Sequence, residues 1–444
     1  MIRELRVQNF KSLEDTGSLS IRPLTFLVGP NSSGKSSVIQ SLLMLKQTVE
    51  SKDTTTRLRP SGYYIPNLGT YPEFIFEHEA DRLLTISFSF RPPLIPPKSI
   101  RKPLELKELN KISVKAVFGY SKYSKRATQI YLQSAEFELL PYKMTFNKLN
   151  GKVRYKVSFT KNGMEEPGLS GLNIFKFYDI LVPSLSLRRK IKAPHWNLTD
   201  IFSFEITYLF ERLVYYIGPL REWLIRFPPA GGELPADAGI KGERAIDILW
   251  MTRGRKGKEL RAKVNYWLKE FGFAEKAKVK QAMENHYQML VKPFPERPLE
   301  VNIADIGFGA SQVLPIIVEG FYAGTGSTLL VEQPEIHLHP KAQALLGDLF
   351  IDIAKEKKTL IVETHSEHLL SRVRRRIAEN KNKIKRENVA IYFFTIKEGR
   401  THIQPIQLNE LGQFEFEEWP EDFFDADYKE ASAHFEAIIK AKAG

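Results

Sequence analysis

The 444-residue chain predicts an α/β protein whose central parallel sheet is completed by its two ends, with a β-rich and then helical region set between them. Three observations carry this. Apolar runs of buried-strand length alternate with amphipathic helical stretches near the N-terminus and again in the last third. Between them lie runs rich in Phe, Tyr, Val and Ile that alternate apolar with polar residues. A Gly/Pro/Asn/Ser loop separates the strand and the helix of the first segment. The divisions that follow are an N-terminal lobe at 1–84, an inserted β-rich basic region at 85–210, a helical region at 211–300, a C-terminal lobe at 301–396 and a small module at 397–444.

Ile2, Leu5, Val7 and Phe10 mark a short first strand, and Pro23–Val28 is a compact apolar run. Val38, Ile39, Leu42, Leu43 and Leu45 give helical spacing over Ser36–Val49. Residues near 84–90, 112–118, 128–146 and 152–160 predict antiparallel strands, and the proline-rich Arg91–Pro103 interrupts them. Helical periodicity returns over 241–289. The last third predicts strands at Ser327–Glu332, Thr359–Glu363 and Val389–Thr395. Its helices are Pro340–Lys355 and a basic one at His368–Asn380, which carries Arg372, Arg374, Arg375 and Arg376. Residues 401–444 read as an acidic, aromatic tail.

Composition narrows the function. Hydrophobic residues make up 43% and aromatic residues 11%, as in a folded globular chain. The formal charge of +13 favours an anionic partner: nucleotide, nucleic acid or an acidic protein. With no cysteine, disulfides, thiolate metal sites and cysteine nucleophiles are excluded. The charged N-terminus and the lack of any long apolar run predict a cytoplasmic protein with no membrane association. Lysine and arginine crowd Lys98–Arg126 and Lys152–Lys192; this reads either as a solvated face or as a phosphate-tracking surface.

The strongest local signal is Gly29-Pro30-Asn31-Ser32-Ser33-Gly34-Lys35-Ser36, followed by Ser37. It fits G-x-x-x-x-G-K-[ST] between an apolar strand and an amphipathic helix. Glycines let successive N–H groups face one anion, and the helix start adds its positive end. Lys35 supplies a point charge to the β- and γ-phosphates, and the Ser36 hydroxyl suits Mg²⁺. ATP and Mg²⁺ are the expected cofactors.

Leu329–Glu335 ends an apolar strand with two carboxylates. Glu332 fits an acid holding hydrated Mg²⁺, and Glu335 is a candidate for orienting water. The alternative is a helix entry with acids at its positive end. His337 and His339 could join Glu335 at a metal, but Pro340 makes a cap and turn the simpler reading. Ile361-Val362-Glu363-Thr364-His365-Ser366 ends another strand, where His365 could sense a γ-phosphate. Asp305–Gln312, with Gly309, Ser311 and Gln312 opening a helical run, is either a second anion-facing helix tip or a plain N-cap.

Taken in order, N-F-K-S, G-P-N-S-S-G-K-S, G-F-G-A-S-Q, V-E-Q-P-E-I-H-L-H-P and E-T-H-S resemble prokaryotic AAA-type ATPases related to the SMC, RecF and OLD proteins. Gly218-Pro219-Leu220-Arg221 and the stretch Gly412–Phe424 are similar to a branch of that group with a small C-terminal module. The resemblance implies an ABC-type P-loop ATPase head that works as a homodimer or higher homo-oligomer. It places Lys11 near the nucleotide. It sets Gly309, Ser311 and Gln312 across a subunit boundary on the γ-phosphate, and makes His365 the switch histidine. Relatives read D-E-P where this chain has Glu332-Gln333-Pro334, so an amide stands at the base position. That departure implies either that Glu335 replaces the base or that hydrolysis is slow. DNA in anti-phage defence or repair is one implied partner; an effector protein from the same operon, such as a nuclease or toxin, is the other.

Overall fold

In the computed structural model the described residues are 1–51, 58–65, 67–92, 110–124, 127–148, 155–165, 172–174, 177–179, 182–183, 196–229, 232–293, 299–379, 384–415 and 423. About half of the two basic stretches, and Trp419, Pro420 and Phe424 of the tail, lie outside them.

The chain opens with strands β1 (Ile2–Phe10), β2 (Leu13–Asp15), β3 (Leu19–Ser20) and β4 (Leu24–Val28), then helix α1 (Lys35–Val49). Strands β5 (Leu84–Phe90), β6 (Ile112–Ser124), β7 (Ala127–Leu139), β8 (Tyr142–Lys148) and β9 (Tyr155–Lys161) follow, with helix α2 (Trp196–Arg212) and strand β10 (Val214–Ile217) after them. The run at 128–146 is thus two strands joined at 140–141. The first sheet is antiparallel, in the order β9-β8-β7-β6-β5-β1-β2, with β3 also on β1. The β-rich region therefore grows out from the N-terminal strand, and the division drawn at 84/85 falls at the start of β5.

Helices α3 (Ala245–Met251) and α4 (Gly254–Glu270) precede a hairpin of β11 (Lys276–Met283) and β12 (His286–Lys292), which pairs with β13 (Val301–Asn302). Helical periodicity thus stops at 270, and residues 276–292 are strand. Their apolar residues alternate with lysine and glutamine, a period of two. The rest is α5 (Gly309–Tyr322), β14 (Thr328–Glu332), α6 (Pro340–Lys355), β15 (Thr359–Glu363), α7 (Glu367–Ala378), β16 (Val389–Lys397), β17 (Arg400–Leu408) and β18 (Phe414–Glu415).

The second sheet runs β10-β14-β15-β4-β16-β17-β18, parallel from β10 to β16. An N-terminal strand thus sits between two C-terminal ones, as the sequence predicts. Strands β4, β14 and β15 are buried on both faces, which is why each reads as an apolar run. Leu27, Leu330 and Ile361 face one core with α1 and α2. Phe26, Leu329, Val331 and Val362 face the other with α5, α6 and α7. Buried side chains of this kind are worth about 1.5–3 kcal/mol each. Wedged between the sheets, α1 is buried on nearly every side.

Two expectations change here. Residues 400–408 are not tail: β17 pairs with β16 along its length, so the division at 396/397 runs through a hairpin. Beyond residue 415 only Phe423 of the expected module is described, and it packs on Phe393 and Phe414 with ring centroids 5.0 and 5.1 Å away. The arginines of α7 are not a free basic face. Arg372 and Arg376 both reach Asp348 of α6 at 2.5 Å, Arg374 donates to the Gly412 carbonyl at 2.8 Å, and Arg375 pairs with Glu379 at 3.3 Å. Among the described residues no helix is long and apolar enough to cross a membrane.

Candidate nucleotide site

The loop leaving β4 is shaped by two glycines. Gly29 has φ 137°, and a Cβ there would lie 2.2 Å from the Phe394 carbonyl oxygen of β16. Gly34 has φ 96°, and a Cβ would lie 2.7 Å from Thr401 Oγ1 of β17 and 2.9 Å from Ser12 Oγ. Neither position admits a side chain without moving the backing hairpin. Ser33 is buried and closes the turn by donating to the Pro30 carbonyl at 2.9 Å, with Ser32 at φ 61°. Ser37 N–H donates to the Gly34 carbonyl at 3.1 Å, so α1 begins tightly.

This loop presents unused donors. The backbone N–H groups of Asn31, Ser32, Ser33 and Gly34 meet no acceptor among the described residues. The first turn of α1 has neither a side-chain cap nor an acidic residue. Converging N–H groups on a positive helix end form an anion cradle. Lys35 is 3% exposed, with Nζ 2.6 Å from the Pro30 carbonyl and 3.1 Å from that of Gly29. Burial lowers its pKa, and Glu363 and Glu335 oppose that.

The acids come from neighbouring strands. Glu332 ends β14 and Glu363 ends β15, facing each other in register, and Glu363 pairs in turn with Leu27 of β4. Glu363 is thus one strand closer to the loop. Ser36 Oγ donates to its Oε1 at 3.0 Å, while its Oε2 is buried with no partner. Glu332 accepts from the Tyr216 hydroxyl at 3.0 Å. Burial and the Glu363 charge push its pKa up to about 7, while Lys11 favours its ionised form. Lys11 itself donates to Gln40 Oε1 at 2.6 Å. Two carboxylates with raised pKa and one orphaned oxygen beside Ser36 form a pocket that a hard cation would relieve. The expected pair for the metal, Ser36 and Glu332, gains Glu363 between them. Among the described residues no group of three His, Asp or Glu side chains is arranged to hold a metal ion by itself. A cation here would need phosphate or water oxygens as well.

Glu335 is placed differently from its expected role. It is buried, its Oε2 accepts from Thr364 Oγ1 at 2.8 Å, and its Oε1 accepts from the His365 N–H at 2.6 Å. Both oxygens brace the end of β15 rather than stand free for a water. Gln333 adopts φ 44° and its N–H donates to the Glu363 carbonyl at 2.8 Å. His365 lies at the end of β15, its pKa lowered by partial burial and by Lys35. His339 caps α6, its Nδ1 accepting from Lys341 N–H at 3.3 Å, and His337 is exposed with its ring edge-on to Phe308. Of this pair, His339 thus acts as the cap.

Helix α5 starts at Gly309 with no side-chain cap. Gly309 is half-buried and Ser311 is 4% exposed. Gln312 is 1% exposed, and its Oε1 accepts from Arg221 Nη1 at 3.4 Å. Its amide faces inward, not outward as the cross-subunit role requires. Arg221 also donates to the Glu332 carbonyl at 2.6 Å and the Gln333 carbonyl at 3.3 Å. Sequence reasoning missed three participants. Glu363 carried a legible signal, since it ends an apolar strand as Glu332 does. Arg221 was marked only as part of the stretch Gly218–Arg221, with no role, and Thr401 not at all, because their partners lie 91 to 389 positions away.

Residues 1–156 and 252–370 match the family described as AAA ATPase domain, and residues 384–431 match a family described as protein of unknown function (DUF3696). No curated protein matches the chain. Similar solved structures are SMC heads. One is bound to the C-terminal winged-helix domain of ScpA (12% identity, TM-score 0.48, 92% of this chain and 98% of that one). Another is the SMC head domain from Thermotoga maritima (11%, 0.41, 92% and 99%). A third is a Pyrococcus furiosus head with an extended coiled coil, bound to the C-terminal domain of ScpA (10%, 0.39, 91% and 96%).

Proposed function

We propose that this chain, which belongs to the AAA ATPase domain family, binds Mg-ATP at Gly29–Ser36 and hydrolyses it slowly as a pair of copies, using the cycle to gate an action on DNA in defence or repair. The observation that carries the nucleotide reading is the junction of Ser36 with Glu363 beside a loop of unmatched N–H donors. Two chain segments 327 positions apart meet there, one built for an anion and one for a cation.

When bound, Mg-ATP supplies an electrophilic γ-phosphoryl group whose charge the cation shares. The loop N–H groups and Lys35 bind the phosphates. Ser36, Glu363 and Glu332 hold the cation. Lys11 sits near Glu332 to balance its charge. Gln333 can orient a water by hydrogen bonding but cannot take its proton. With both oxygens committed to Thr364 and His365, Glu335 is not free to take that proton, which supports slow turnover. Ser311, at the tip of α5, serves the nucleotide of the second copy, and His365 responds to the γ-phosphate.

The DNA-linked output is supported by the net charge of +13. A second reading, ATP-dependent control of a separate effector protein, is favoured by a specific observation: Arg372 and Arg376 spend their charge on Asp348. Titrating wild type and Lys35→Ala with a slowly hydrolysed ATP analogue tests the nucleotide reading. We expect Lys35→Ala to weaken binding by about 100-fold or more. Equal affinity for both would overturn it. ATPase rates with and without duplex DNA at two salt concentrations separate the outputs. Absence of both stimulation and salt-dependent binding rejects the DNA reading in favour of an effector.

A further inference from the structure

Arg221 connects two parts of the molecule that the proposed mechanism uses separately, and the inference drawn from it rests on that reading. The residue follows β10 and is 5% exposed. Its Nη2 donates to the Glu332 carbonyl at 2.6 Å and to the Gln333 carbonyl at 3.3 Å. Its Nη1 donates to the Gln333 carbonyl at 3.3 Å and to Gln312 Oε1 of α5 at 3.4 Å. One planar fork thus grips the backbone of both residues at the acid strand end and the side chain behind Ser311. A lysine offers one ammonium and cannot hold this span.

The surroundings make the link hard to replace. Glu335 and Glu332 both favour the charged guanidinium that burial opposes. Arg221 Nε and Gln312 Nε2 are buried with no partner, so no other bond fixes either group. The strand end serves the nucleotide held by its own copy, whereas the tip of α5 serves the nucleotide of the other copy.

We propose that Arg221 is a positioning residue that ties the acid strand end of one nucleotide site to the helix tip serving the other, so that the two sites of a pair turn over together. A shift of Glu332 and Gln333 when the cation is held moves the guanidinium, and the guanidinium moves Gln312 and the start of α5. The coupling is reciprocal, because the same bonds are read from either end.

The test uses the full chain, a fluorescent ATP analogue for affinity, and steady-state turnover against ATP concentration. Gln312→Met leaves the bonds to the two carbonyls in place and cuts only the link to α5. We expect nucleotide affinity to change by less than about threefold while kcat falls about tenfold or more. The Hill coefficient should drop from near 2, about the number of sites in a pair, to about 1. Gln312→Glu restores the acceptor and should recover cooperativity. Adding Gln312→Met to Arg221→Lys should cost little beyond Arg221→Lys alone. A non-cooperative wild type, an unchanged Hill coefficient in Gln312→Met, or additive losses in the double variant would overturn the proposal. If Arg221→Lys fails to fold, the Gln312 variants decide by themselves. A wild type that binds no nucleotide refutes the ATPase reading itself, and that failure is seen without any variant.

Discussion

Glu319, in the last turn of α5, should make the protein less stable as the pH rises from 5 to 8, and Glu319→Gln should remove that loss. The side chain is 1% exposed. Its Oε2 accepts from the Ala238 N–H at 2.5 Å, and its Oε1 has no partner. Burial and then Asp237 push its pKa up to about 8, against weaker help from the Ala238 N–H, Arg244 and Lys46. Tyr215, Tyr322 and Lys358 also face it. The sign follows from proton counting. Below the ordinary glutamate value of 4.5 the group is protonated folded and unfolded, and it contributes nothing. Between 4.5 and about 8 the unfolded chain releases the proton while the folded one keeps it, so stability falls. At about 1.4 kcal/mol for each pH unit, the full penalty is on the order of 5 kcal/mol. Glutamine keeps an acceptor for Ala238 and has no charge to bury. Denaturant midpoints of wild type and Glu319→Gln should coincide at about pH 4, with the variant gaining steadily toward pH 8. Parallel profiles across that range would refute the assignment.

The remaining expectations concern the brace, the α7 cluster and the C-terminal hairpin. Glu335→Gln loses one of two acceptors for Thr364 and His365, so it should cost about 1–3 kcal/mol of stability and slow turnover. Equal ATPase rates and equal melting in the two proteins would contradict it. Asp348→Asn strands Arg372 and Arg376 and should destabilise by about 3–5 kcal/mol at neutral pH. Burial raises the Asp348 pKa, but the bonds from Arg376 and Arg372 outweigh this and hold it below its usual 3.8. The wild-type advantage should therefore persist above that value and vanish as acidification protonates the folded carboxylate, which denaturation at several pH values will show. Gly412 has φ 69°, and a Cβ would lie 2.4 Å from the Arg374 carbonyl oxygen. Gly412→Ala should cost about 2 kcal/mol or more and expose the β17–β18 turn to limited proteolysis.

The sequence announced the elements that repeat a simple period and hid those defined by distant partners. Thr359–Glu363 and Pro340–Lys355 were legible to the residue, because a doubly buried strand and an amphipathic helix each leave an unmistakable pattern. Residues 276–289 were misread as helix, because charged residues within their alternation mimic the spacing of an exposed helix. β17 was misread as tail because its outward positions are polar and its pairing depends on β16. At the site, Gly29–Ser36 was plain, since local backbone chemistry alone dictates it. Arg221 was not, since a buried guanidinium is defined by the carbonyls it meets. The arginines of α7 looked like a surface for an anion because sequence does not show that Asp348 lies beneath them.

The placement of β4 also sets a timetable for synthesis. Its two neighbours in the sheet are β15 and β16, and the later of these pairs ends at Phe393. At about 5–20 residues per second, the ribosome adds the intervening segment in roughly 20–70 s. Until Glu363 is made Leu24–Val28 has no flanking strand, and until Phe394 the loop after it lacks the strand that gives Gly29 its shape. The newborn chain must therefore shelter an apolar segment long before it can hold a phosphate.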